Sequence, residues 1–146
     1  MLYTLRVVAI LFTALATIPA GAHLLSMASK LKLDQADYLA SQRAYDGWSL
    51  LAIVVLGALL STFALAIALY RKREPYLLAA LAFLCIVGTQ IIFWTFTFPA
   101  NQATQNWTVL PVDWETLRLH WEASHAVSAL LSLTALALLV AAAVKH

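Results

Sequence analysis

Hydrophobic residues fall into four long runs, at about 2–25, 47–70, 76–98 and 115–144, separated by polar segments of unequal length. At 1.5 Å per residue, each run can cross a hydrocarbon core of about 30 Å, so the pattern predicts four spanning helices. The first run is broken by Arg6, a few threonines, Pro19 and His23. Arg6 followed by Pro19-Ala-Gly-Ala22 has the outline of a secretory leader, but the run is expected to persist as a span. Pro19 removes one helical hydrogen bond and is expected to kink or end the helix just below His23.

The stretch from Ser26 to Asp46 is polar. Asp34 stands where an N-cap belongs, and Tyr38, Gln42, Tyr45 and Ser49 recur on one helical face, so the second spanning helix is expected to begin within this stretch. Arg71-Lys72-Arg73 stops the second run, which has Trp48 and Tyr70 at its ends; Pro99 closes the third, bordered by Trp94, Phe96 and Phe98. Gly57 and Ala58 give the second span a small-residue face suited to helix contact, without naming the partner. The two long polar segments, 26–46 and 99–117, are separated by an even number of crossings and therefore cap the same end of the bundle.

Composition bears this out at the level of class. The chain is 63% hydrophobic and 11% charged, with a mean hydropathy of +0.84, so most of its surface must face lipid. A net charge of +2, without basic residues interleaved with aromatics on a polar face, excludes nucleic acid as a partner. Cys85 is the single cysteine, so neither an intrachain disulfide nor a thiolate cluster can form; it reads as a small core residue. Five basic residues (Arg6, Arg71, Lys72, Arg73, Lys145) face four on the other side (Lys30, Lys32, Arg43, Arg118). The positive-inside rule then places both termini in the cytoplasm and the polar caps outside. The expected protein is an all-α, four-helix transmembrane bundle, a single multi-pass domain of the bacterial inner membrane.

Chemistry concentrates between Pro99 and His125. On the fourth helix Trp114, Arg118, Glu122 and His125 form one stripe, flanked by Trp121 and continued by Ser132, while His120 points about 180° away at 100° per residue. His120 is therefore read as peripheral and His146, at the C-terminus, as outside the chemistry. His23 and His125 fall at the same depth and are expected to meet in a shallow cavity. Arg118 and Glu122 have the spacing of an ion pair, and ionisable groups in spanning helices usually face the bundle interior.

Three readings use these residues. In the first, His125, oriented by Glu122, is a general base that takes an acidic C–H or O–H proton from an apolar aromatic substrate, with Arg118 or a Trp N–H steadying the enolate. In the second, Glu122-x-x-His125 together with His23 holds a metal ion. In the third, His23 and His125 are axial ligands of a haem. A non-enzymatic alternative makes the chain a binding or accessory subunit of a membrane complex, or a homo-oligomer, whose polar loops dock a partner.

The strings FTFPANQATQNW and PVDWETLRLHWEASHA, with the upstream AHLLSMASKLKLD and YLASQRAYDGW, resemble the anthrone oxygenase-like family of small four-helix membrane proteins, many of whose bacterial members have no known function. The resemblance covers almost the whole chain and implies oxidation of an anthrone- or quinol-like substrate by molecular oxygen, without bound metal or flavin. The positions matching the family are His23, Asn101, Trp107, Arg118, Trp121, Glu122 and His125, with Gln42 and Tyr45 alongside. Catalysis is expected from His125, Glu122, Arg118 and His23, and substrate contact from Asn101, Trp107, Trp121, Trp114, Gln42 and Tyr45. His120 stands where the family usually has another residue, in keeping with a peripheral place.

Overall fold

A computed structural model describes residues 1–144, so Lys145 and His146, and what the sequence suggests for them, lie outside the described residues. The chain is all-helical there: α1 (Leu2–Lys30), α2 (Gln35–Gln42), α3 (Ala52–Arg71), α4 (Leu77–Ile92), α5 (Phe98–Ala103) and α6 (Trp114–Val144). A 3-10 turn over Trp48–Leu51 leads into α3, and a π-helical turn over Phe93–Thr97 joins α4 to α5. Four segments are long and apolar enough to cross a membrane: Leu2–Lys30, Trp48–Arg71, Leu77–Ala103 and Trp114–Val144.

Each spanning helix packs against two others, in the cyclic order α1, α3, α4, α6. With no hydrophobic drive between helices in lipid, close approach comes from small side chains. The core shows this: Ala9, Ala58, Ala79, Ala82 and Ala135 are fully buried among Leu65, Leu69, Ile86 and Leu139. Gly57 is the closest approach. A Cβ there would lie 2.4 Å from the Phe12 ring of α1, so the small-residue face of the second span meets the first span within the same chain. Larger apolar residues such as Leu11, Leu60, Phe63, Leu81 and Leu130 are exposed and form the lipid-facing surface.

Three boundaries differ from those the sequence suggests. Helix α1 does not end at Pro19 or at residue 25 but continues to Lys30; at about 43 Å for its 29 residues it outreaches the hydrocarbon core. The polar stretch does not start the second span. Asp34 caps α2 as expected, its side chain accepting from the Asp37 N–H at 2.9 Å. However, α2 stops at Gln42, and Gly47 at φ 83° turns the chain before Trp48; only glycine adopts that backbone without strain. Nor does Pro99 close the third span. Lacking an N–H, it cannot donate to the residue four before it; the chain widens into the π turn ahead of it and resumes as α5.

The two polar segments do cap the same end. Arg118 of α6 donates to the Leu33 carbonyl at 2.9 Å, and Tyr38 of α2 packs edge-on against Trp107 with ring centroids 5.1 Å apart. At the other end, Arg6 of α1 pairs with Glu74 in the loop before α4 at 3.1 Å, which puts Arg6 beside the basic cluster Arg71-Lys72-Arg73.

Candidate functional site

Beneath the caps is a cavity of about 760 Å³, within the roughly 300–1,000 Å³ of small-molecule sites. Its walls are the aliphatic and aromatic side chains of α3 and the π turn, among them Val55, Leu56, Leu59, Phe93 and Trp94. Its polar end carries His23, His125, Gln42, Asn101 and Trp121. A smaller space of about 110 Å³ continues below His125 toward Ser128 and Ser132. Leu56 and Trp94 line the main cavity and are each more than half exposed.

His23 and His125 meet as their depth suggests. The rings stack at 4.2 Å between centroids and 25° between planes, and Trp121 closes edge-on against both, at 4.6 Å and 4.4 Å. Tyr45 covers His23 from the α2 side at 4.1 Å. Among the described residues, no side chain hydrogen-bonds either ring nitrogen of His125, whereas His23 Nδ1 lies 3.0 Å from Lys30 Nζ.

Glu122 occupies a different place from the one its spacing suggests. It is completely buried, and its Oε1 receives Lys30 Nζ at 2.7 Å and the Tyr38 hydroxyl at 3.1 Å. Its partner is therefore Lys30 and not Arg118, and it does not orient His125. Arg118 extends toward α2 instead, with its guanidinium 4.6 Å from the Trp114 ring centre and 5.3 Å from that of Tyr38. Arg118, Glu122 and Trp114 all stand outside the cavity wall, so none of the three is placed to touch a molecule inside it. The cause is α1: by running on to Lys30 it delivers an ammonium group to Glu122 before Arg118 can fold back. Burial, and after it the Glu122 carboxylate facing its hydroxyl, push the Tyr38 phenol far above its ordinary range, so Tyr38 stays protonated and donates.

The third wall depends on an unusual backbone. Gln105, Asn106 and Trp107 follow one another at φ 47°, 57° and 61°, a left-handed turn that costs on the order of 1 kcal/mol per non-glycine residue. Hydrogen bonds to α5 hold it: the Asn106 N–H to the Asn101 carbonyl at 2.7 Å, and the Trp107 N–H to Thr104 Oγ1 at 3.1 Å. The turn drives Trp107 back into the molecule, 97% buried between Tyr38 and Trp121. Asn101 Oδ1 accepts from Trp121 Nε1 at 2.7 Å and so fixes the indole that borders both histidines.

Of the residues expected to contact substrate, Asn101, Trp107, Trp121, Gln42 and Tyr45 line the cavity with both histidines. His120 is exposed on the far face of α6. Sequence reasoning missed Lys30 and Trp48. Lys30 lies seven residues after His23, two turns along the same helical face, a signal hidden by ending the first span at residue 25. Trp48 reads as an interfacial anchor but lines the cavity, 4.9 Å from Tyr45.

The metal and haem readings can be set against this geometry. Among the described residues, no three His, Cys, Asp or Glu side chains group to hold a metal ion. His23 Nδ1 and Glu122 Oε1 both engage Lys30, so the set His23, Glu122 and His125 does not converge. The His23 and His125 rings lie face to face, 4.2 Å apart at 25° between planes.

Fold and cavity together define an integral membrane four-helix protein with a cavity beneath its polar caps. No family model matches the chain, and no match to it is found among curated proteins or solved structures.

Proposed function

We propose that this chain is a membrane-embedded oxygenase of the bacterial inner membrane, acting on an apolar aromatic substrate of the anthrone or quinol kind with molecular oxygen as co-substrate. The observation that supports this reading is His125: an imidazole with no side-chain hydrogen-bond partner among the described residues, at the polar end of a 760 Å³ apolar-walled cavity. A neutral imidazole with a free nitrogen is a side chain able to accept a proton. The lipid-facing wall at Leu56 and Trp94 suits a substrate that arrives dissolved in the bilayer.

For a methylene flanked by aryl rings and conjugated to a carbonyl, the C–H bond breaks, His125 takes the proton and the electron pair delocalises onto the carbonyl oxygen. The enolate gives one electron to oxygen, and the resulting radical and superoxide combine, with a proton, as a hydroperoxide. Loss of water then leaves a second carbonyl. The net change converts CH2 and O2 to C=O and H2O. The substrate supplies the electrons, and the protein supplies a base, an apolar-walled pocket and orientation.

The test is oxygen uptake by the protein in lipid nanodiscs with anthrone as substrate. His125→Ala is expected to lower kcat by about 10²- to 10⁴-fold, the range for loss of a general base, while His120→Ala on the exposed face leaves it unchanged. Turnover that survives His125→Ala would sink the assignment.

A further inference from the structure

Lys30 is a buried ammonium with two hydrogen-bonding neighbours of different kinds. It contacts Glu122 Oε1 at 2.7 Å and His23 Nδ1 at 3.0 Å, and its remaining side faces the rings of Tyr45 and Trp121 at 5.0 Å and 5.2 Å from their centres. An ammonium has donors and no acceptor. His23 Nδ1 must therefore accept, and the proton of the neutral ring then resides on Nε2. His23 lines the cavity and Lys30 does not, and among the described residues no side chain hydrogen-bonds His23 Nε2.

We infer that Lys30 is a positioning residue that fixes His23 as an Nε2–H hydrogen-bond donor, so that the cavity recognises a ligand oxygen conjugated to the centre from which His125 removes a proton. The two stacked histidines thereby take opposite roles, His23 as donor and His125 as acceptor. The ligand class follows: a carbonyl or phenolic oxygen conjugated to an acidic C–H or O–H, on an otherwise apolar ring system. In the proton-transfer step the substrate C–H bond breaks, an N–H bond forms on His125, and the enolate oxygen receives the His23 Nε2–H hydrogen bond. This donor stands where Arg118 does not reach. Glu122 has a supporting part, since its carboxylate pairs with Lys30 Nζ at 2.7 Å and balances its charge.

The inference rests on the proposed function for its chemistry, but its structural half can be tested without turnover. Nitrogen-15 NMR of histidine-labelled protein, with His23 assigned by its absence from His23→Gln, reports which ring nitrogen carries the proton. The wild type is expected to show neutral His23 protonated on Nε2. In Lys30→Met/Glu122→Gln, which removes both buried charges together and keeps the site neutral, the proton is expected to redistribute toward Nδ1. Lys30→Arg, which retains a donor, is expected to keep the wild-type tautomer. The second readout is anaerobic binding of anthrone against dihydroanthracene, the same ring skeleton without the carbonyl oxygen, followed by tryptophan quenching. The wild type should prefer anthrone by about three- to tenfold, the worth of one hydrogen bond, and the double variant should lose that preference. A wild-type His23 protonated on Nδ1 or doubly protonated overturns the inference even if no variant folds, and so does a double variant in which either readout is unmoved. The spectra need no substrate, so turnover persisting in His125→Ala, which defeats the proposed reaction, leaves the tautomer result standing.

Discussion

Among the described residues two ion pairs tie the chain together, one at each end of the bundle, and they occupy opposite environments. Lys30–Glu122 spans 2.7 Å with side chains 5% and 0% exposed, whereas Arg6–Glu74 spans 3.1 Å with side chains 18% and 35% exposed. Around the first, helices are held apart by indoles, imidazoles and a cavity; around the second begins an alanine-rich core in which backbones approach closely. A buried pair is weak evidence for stability, because well-packed apolar residues serve as well or better. The Lys30–Glu122 pair is thus better explained by what it does to its neighbours, Tyr38 and His23, than by the helices it joins.

The contrast is broken most forcefully by removing half of the buried pair. Lys30→Met leaves a fully buried carboxylate with only the Tyr38 hydroxyl, and such a loss costs about 3–5 kcal/mol. Glu122→Gln in the same background should return most of that stability. The check is thermal unfolding in detergent micelles: a double variant no more stable than Lys30→Met would show that the pair is held by something other than mutual neutralisation.

The apolar end should respond to volume instead of charge. Gly57→Ala forces a methyl to within 2.4 Å of the Phe12 ring, and overpacking of this kind costs about 1–3 kcal/mol. Phe12→Leu in the same molecule should relieve it, because the clash is with one side chain. If Gly57→Ala proved neutral on its own, α1 and α3 would be less closely held than the cavity end, reversing the comparison.

A smaller effect separates packing from hydrogen bonding within the polar end. Asn101→Ala removes the acceptor for Trp121 Nε1 and should cost about 1–2 kcal/mol. It should also loosen the indole against both histidines and, in the proposed reaction, raise KM for anthrone more than it lowers kcat. Asn101→Asp, which keeps an acceptor, should retain the indole position, as read by tryptophan emission.

The four spans and the meeting of His23 with His125 were legible because both follow from helix length and depth, which apolar runs report directly. The Glu122 partnership was not. Spacing along one helix favours Arg118, and only a first helix reaching past the hydrophobic run brings Lys30 into contention. The breaks at Gly47 and at the π turn were also hidden, since in each case tertiary packing overrides a local helical pattern. Trp107 was singled out by its polar company, but nothing in its neighbours announces three consecutive left-handed residues, none of them glycine. Where the chain obeys simple periodicity it packs alanine on alanine; where it departs, it builds the cavity.

Arg6 and Glu74 set the lower bound of the comparison. The pair is partly exposed, and pairs in that setting contribute about 0–1 kcal/mol because solvent screens the attraction and holding two side chains costs entropy. Arg6→Ala should therefore change stability by less than about 1 kcal/mol, in contrast to Lys30→Met at the opposite end. Raising salt should erase even that difference, since an exposed pair is screened within a Debye length whereas a dry one is not. The measurement is a pair of melting curves, at low and high ionic strength, for each variant and its parent. If Arg6→Ala proved as damaging as Lys30→Met, or if salt weakened Lys30–Glu122 as much as Arg6–Glu74, the polar end would be no drier than the loop end. Lys30 would then not act on His23 through an unscreened contact.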